Sequence, residues 1–147
     1  MKHLALIIIF LITFEAESAP NTFNTRKANQ MEELMQVDSR LLVIWSYIVN
    51  WSIERKIVAE ITSIYRKYPD GISTTLTHSQ YRAIDFSTKN WTKKQMQEIF
   101  KDVTIVFRRW GAISSTTGMS TPIIFHRIKG GGYHGHIQVR PALIKSI

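Results

Sequence analysis

Apolar residues recur along this chain at two spacings, which shift from helical to extended as the chain proceeds. From Met31 to about Trp51, Leu34, Val37, Leu41, Ile44, Trp45 and Ile48 fall at three- and four-residue steps, the spacing that lines one face of a helix. Asp38 or Ser39 offers an N-cap within this stretch, which therefore predicts one or two helices on the core, with the Met and Trp side chains as packing. Ile57 to Tyr65 is rich in β-branched residues and predicts a strand, closed by the turn sequence Tyr68-Pro69-Asp70-Gly71. Ser73 to Thr77 reads as a loop. Arg82 to Phe86 reads as a short strand, with Ala83 and Asp85 on one face and Ile84 and Phe86 on the other. Thr92 and Gln95 then form a capping-box pattern ahead of a helix carrying Met96, Ile99 and Phe100.

Val103 to Trp110 is a further apolar run, expected as a strand with a helix as the alternative, and Gly111 to Thr121 reads as a small-residue loop. The clearest hairpin follows. Ile123 to Ile128 and Tyr133 to Val139 flank Lys129-Gly130-Gly131-Gly132, whose glycines permit a tight reversal, and Pro141 ends the last strand. No internal repeat or low-complexity block interrupts this order.

At 147 residues and 44% hydrophobic content the chain suits one compact domain. Lys2 and His3, an apolar run from Leu4 to Phe14 and the small-residue end Ala16-Glu17-Ser18 read as a secretory signal over residues 1–18. The run is short against the roughly 20 residues of a membrane-spanning helix, so no stable membrane anchor is expected. Residues 19–30 read as a polar lead-in and 31–147 as the working domain. Without residues 1–18, 18 Lys+Arg stand against 9 Asp+Glu, a net +9, which favours polyanions such as anionic wall polymers. No nucleic-acid-binding motif accompanies the charge, so nucleic acid is not the expected partner. Cysteine is absent, which excludes disulfides and thiolate metal sites; any metal here must use His and carboxylate.

Alternation places His134, His136 and Gln138 on one face of the last strand, and His126 is expected nearly opposite His136. Three of the five histidines thus gather at one end of the hairpin. A second group is His78 to Asp85, a His from a loop and an Asp from the strand that follows. Imidazole nitrogen and carboxylate oxygen suit zinc, and with His136 these two would leave a fourth position open for water. Alternatively, Asp85 is a buried partner of Arg82 and His78 an ordinary loop residue.

Three blocks follow one another in order: Ile61-Thr62-Ser63-Ile64-Tyr65-Arg66, His78 to Phe86, and His134-Gly135-His136-Ile137-Gln138-Val139. Over roughly residues 40–140 the chain resembles the LAS-type zinc peptidases, which include D-alanyl-D-alanine carboxypeptidases, dipeptidases and phage endolysins. Their motif runs Thr-Ser-x-x-Arg, then Ser-x-His-x-x-Gly-x-Ala-x-Asp, then a closing His, often within His-x-His. The resemblance implies an α+β fold, with a small antiparallel sheet carrying the zinc site and helices packed on its other side. It implies a zinc ion held by His78, Asp85 and His136, and an oxyanion-stabilising Arg66. The implied activity is hydrolysis of a peptide bond in peptidoglycan stem or cross-link peptides, by a secreted or periplasmic monomer. Leu76 and Tyr81 replace the family's usual Ser and Gly, so the loop between the ligands is expected to follow its own path. Many members carry a Glu three residues before the closing His; Tyr133 stands there, and the base role passes to His134. Gln138 and His126 are then candidates for orienting an imidazole. A zinc- or wall-binding domain of the same fold that cuts nothing, as among hedgehog-like relatives, is the alternative.

Overall fold

The computed structural model describes residues 29–67, 76–114, 117–127 and 132–142. The expected secretory signal, the turn at 68–71, most of the loop at 73–77 and the glycines of the hairpin loop other than Gly132 lie outside the described residues. Among the described residues, no helix is long and apolar enough to cross a membrane.

The Met31–Trp51 periodicity resolves into two helices, α1 (Gln30–Leu34) and α2 (Ser39–Glu54). Asp38 is the N-cap of α2, its carboxylate accepting the Arg40 backbone N–H. Leu41, Ile44, Trp45 and Ile48 are fully buried, at the spacing the sequence shows. Gln30, counted with the lead-in above, belongs to α1 and is buried.

Four strands follow: β1 (Glu60–Ser63), β2 (Ala83–Ser87), β5 (Ile123–Arg127) and β6 (Tyr133–Gln138). They form one antiparallel sheet in the order β1-β2-β6-β5. Two very short strands, β3 (Ala112–Ile113) and β4 (Ser120–Thr121), pair separately. They lie in the stretch expected as a plain loop. The first strand is shorter than the β-branched run that predicted it.

The long helix α3 (Lys93–Phe107) begins with the predicted capping box. Thr92 Oγ1 accepts the Gln95 N–H at 3.2 Å and Gln95 Oε1 accepts the Thr92 N–H at 2.8 Å. The strand expected over Val103–Trp110 is not there: α3 continues to Phe107 and a 3-10 turn covers Arg108–Trp110. Ile99, Val103 and Phe107 decide it, falling four apart and all buried while Ile105 and Val106 face outward. A strand would have buried alternate residues.

One face of the sheet packs on the helices. Ile84, Ile137 and Ile123 are opposite one another across three strands and wholly buried, and the Phe86 ring lies against Trp45, Trp91 and Phe125 at centroid distances of 5.5, 5.7 and 6.0 Å. Gly135, opposite both Phe86 and Phe125, has no room for a side chain, since a Cβ there would stand 2.1 Å from the Phe86 ring. The glycine between His134 and His136 is thus fixed by the core. The result is α+β, a four-stranded antiparallel sheet with helices against one face. Ser63, Asp85, His126, His134 and His136 share the opposite face.

Candidate metal centre

Sheet register builds most of the site. Asp85 pairs with His136, Ser87 with His134, and His134 with His126 on the outer strand. His126 is therefore opposite His134 and not, as expected, nearly opposite His136. The connection is one residue longer than counted, because Arg127 pairs with Tyr133. Between Ile61 and Ser63 the β1–β2 pairing slips by one residue, a bulge that brings Ser63 opposite Asp85.

His78 comes from outside the sheet. It sits in a single helical turn closed by the Arg82 N–H on the Thr77 carbonyl at 2.8 Å and the Tyr81 N–H on the His78 carbonyl at 3.1 Å. That double bond is a Schellman closure, whose penultimate residue needs a left-handed backbone and is usually glycine. Here it is Tyr81, at φ 52°. Its ring stacks on Tyr65 at 5.0 Å between centroids, which offsets part of the conformational cost. Tyr81 thus keeps the left-handed backbone that a glycine would adopt.

Asp85 and His78 are each 3% exposed, and one ligand atom from each of His78, Asp85 and His136 lies within 4.8 Å of the others. The tautomers follow from the partners. His78 Nδ1 stands 2.6 Å from the Ile64 carbonyl, which can only accept, so the proton is on Nδ1 and Nε2 turns its lone pair to Asp85 Oδ1 at 3.3 Å. Gln138 donates its amide N–H groups to the carbonyls of Ala112 (3.1 Å) and Thr121 (3.3 Å), leaving Oε1 to accept from His136 Nε2 at 3.3 Å. His136 Nδ1 stands 2.6 Å from the same Asp85 Oδ1. Two imidazole nitrogens and one carboxylate oxygen thus converge, a group that needs a proton or a cation between its members. Burial pushes His136 down to about 4, so at neutral pH its ring is not the doubly protonated cation. Two ligand atoms on a tetrahedral zinc at ~2.0–2.1 Å stand about 3.3 Å apart, close to the His78–Asp85 separation.

The other oxygen of Asp85, Oδ2, is bound by Arg66 Nη2, and Arg66 Nε donates to Ser63 Oγ at 3.2 Å. The alternative pairing of Asp85 with Arg82 is not formed. Arg82 instead donates to Gln80 Oε1 and, at 2.7 Å, to the Val139 carbonyl. Arg66 was expected to face substrate; its partnership with Asp85 had no sequence signal, and the β1 bulge sets Ser63, which also accepts from Arg66, opposite that carboxylate.

His134 completes the face, with Nε2 3.9 Å from Asp85 Oδ1 and its ring 4.0 Å from that of His126. Burial first, then the neighbouring His126, His136 and Arg66, hold it down at about 4, and His126 is lowered mainly by burial. His134 Nδ1 and His126 Nε2 are buried with no hydrogen-bond partner among the described residues. Tyr133 alternates to the other face and is exposed, so it brings no group to the site.

Fold and site together define an α+β chain with a buried His–Asp–His group that could bind a metal ion. No protein-family model, curated protein or solved structure matches it.

Proposed function

We propose that this chain is a zinc peptidase of the LAS type that hydrolyses a peptide bond in peptidoglycan stem or cross-link peptides outside the cytoplasm. One observation carries the reading: His78 Nε2 and His136 Nδ1 converge on Asp85 Oδ1, while the Ile64 carbonyl and the Gln138 amide hold the far nitrogen of each ring. A nitrogen, nitrogen, oxygen donor set with no thiolate suits zinc. The order of the three motif blocks supports the family, and the terminal signal pattern together with the net +9 charge supports an extracytoplasmic compartment and an affinity for anionic wall polymers.

Zinc, when bound, supplies a Lewis acid that polarises a carbonyl and acidifies water. The chain's own groups do the rest. His134, neutral at physiological pH, accepts the proton of the attacking water at Nε2, the nitrogen turned toward Asp85, and returns it to the leaving amine. Arg66, its side chain 27% exposed, adds a fixed positive charge that offsets the negative charge developing on the scissile carbonyl. His78, Asp85 and His136 hold the ion.

The test is digestion of purified peptidoglycan, followed by the release of new amino groups and by mass spectrometry of the muropeptides. Zinc-dependent cleavage with one defined product, lost in His134→Ala, is expected. Wall fragments that bind while no bond is cut would overturn hydrolysis in favour of a zinc- or wall-binding domain, a reading the absence of a carboxylate at Tyr133 favours.

A further inference from the structure

Asp85 offers its two oxygens to different neighbours. Oδ1 faces His136 Nδ1 at 2.6 Å, His78 Nε2 at 3.3 Å and His134 Nε2 at 3.9 Å, while Oδ2 is taken by Arg66 Nη2. The arginine is itself held: Nε donates to Ser63 Oγ at 3.2 Å, and Ser63 is opposite Asp85 because of the one-residue bulge in β1. Guanidinium presents its donors as a rigid fork, so one arginine can bridge a hydroxyl and a carboxylate in a fixed orientation, which a lysine ammonium cannot do. A carboxylate with both oxygens open tends to chelate a cation through both; one whose second oxygen is occupied offers a single donor.

From this arrangement we infer that Arg66 is a positioning residue for the metal centre, clamping Asp85 through Oδ2 so that Oδ1 alone is presented beside His78 and His136. The role is additional to any contact Arg66 makes with substrate. It rests on the metal-binding reading above. Two consequences follow from the geometry of the clamp: the centre is held to three protein donors, and the carboxylate stays aimed in the metal-free chain. The bulge at Thr62 acquires a purpose, since without it Ser63 would not stand opposite Asp85.

The clamp is tested with cobalt(II) in place of zinc, because the intensity of cobalt's visible absorption reports coordination number without any substrate. The full chain is titrated with cobalt as wild type, Arg66→Met, Arg66→Lys and Ser63→Ala, with circular dichroism to establish that each is folded. Wild type is expected to bind one cobalt with the intense band of a four-coordinate ion. Arg66→Met and Arg66→Lys are expected to bind about 10–100-fold more weakly, as outer-sphere substitutions do, with the weaker band of a five-coordinate ion. Ser63→Ala, which keeps the arginine and its charge, is expected to shift affinity and band in the same direction by less, and it serves as the readout if the Arg66 variants do not fold. Wild-type affinity and spectrum in a folded Arg66→Met, or in Ser63→Ala if that variant alone folds, would overturn the clamp while leaving the metal centre standing. No cobalt uptake by wild type would overturn the metal reading itself.

Discussion

The chemistry of the site comes down to where two protons are. The Ile64 carbonyl holds one on His78 Nδ1, which leaves Nε2 bare toward Asp85, and the other is set on the His136 ring between the Gln138 amide and Asp85. Spacing shows which residues can meet, but tautomers depend on backbone carbonyls from β3, β4 and the end of β1, which no local pattern announces. The same arrangement makes the metal-free chain sensitive to acid. His134 and His136 are held near 4 in the fold against 6.5 when unfolded, both first by burial and also by Arg66; His126 and His136 lower His134 further, while the Gln138 hydrogen bond raises His136 in part, and Asp85 and His78 are the other titratable groups at the site. The unfolded chain takes up protons first, so stability is fully present above pH 6.5 and is lost as pH falls from 6.5 toward 4, by about 3 kcal/mol at most for either histidine. Urea midpoints of the metal-free chain should fall across that window; a flat profile would contradict the buried neutral histidines. Tyr81 gives a second residue-scale test. Tyr81→Ala keeps the left-handed strain and loses the Tyr65 stack, whereas Tyr81→Gly loses the stack but relieves the strain. Denaturant unfolding should find the alanine variant less stable than the glycine variant by about 1 kcal/mol.

Among the elements, the sheet was the most legible. Alternation in Tyr133–Gln138 and Ala83–Ser87 put Asp85, His134 and His136 on faces that the register then joined, and the Thr92–Gln95 capping box marked the start of α3. What misled lay in local composition. Asp102-Val103-Thr104-Ile105-Val106-Phe107 has the β-branched content of a strand, yet it completes a helix whose buried stripe started at Ile99. Tertiary burial of three residues four apart outweighed propensity. Register across the hairpin was misread by one step in the loop count, which moved the partner of His126 from Gly135, next to His136, to His134. Gly135 is where an element and the core constrain each other most tightly. In Gly135→Ala a methyl group meets the Phe86 ring, and the strand carrying both histidines must move. A loss of about 1–3 kcal/mol in thermal or denaturant unfolding is expected, with weaker metal binding; wild-type stability would show that β6 is not seated on Phe86 as described.

At the scale of the whole molecule, the His–Asp–His group ties the turn at 76–81 and the adjoining β2 to β6, with Asp85 and His136 51 residues apart in sequence. A ligand that binds only the assembled face stabilises the fold by mass action, about 2.7 kcal/mol at a concentration of 100 Kd. Zinc should therefore raise the thermal midpoint by about 5–10 °C, and a chelator should reverse the rise. Composition foresaw the donor set, because a cysteine-free chain leaves only imidazole and carboxylate. It could not foresee Arg66 on Asp85, beside a bulge that sets Ser63 opposite the same carboxylate. The central claim is that His78, Asp85 and His136 hold one metal ion, and its most direct test is the metal content of the purified chain after dialysis against zinc. The account predicts one zinc per wild-type chain and none in Asp85→Asn or His78→Gln. A wild-type chain without zinc, or variants that retain it in full, would contradict it.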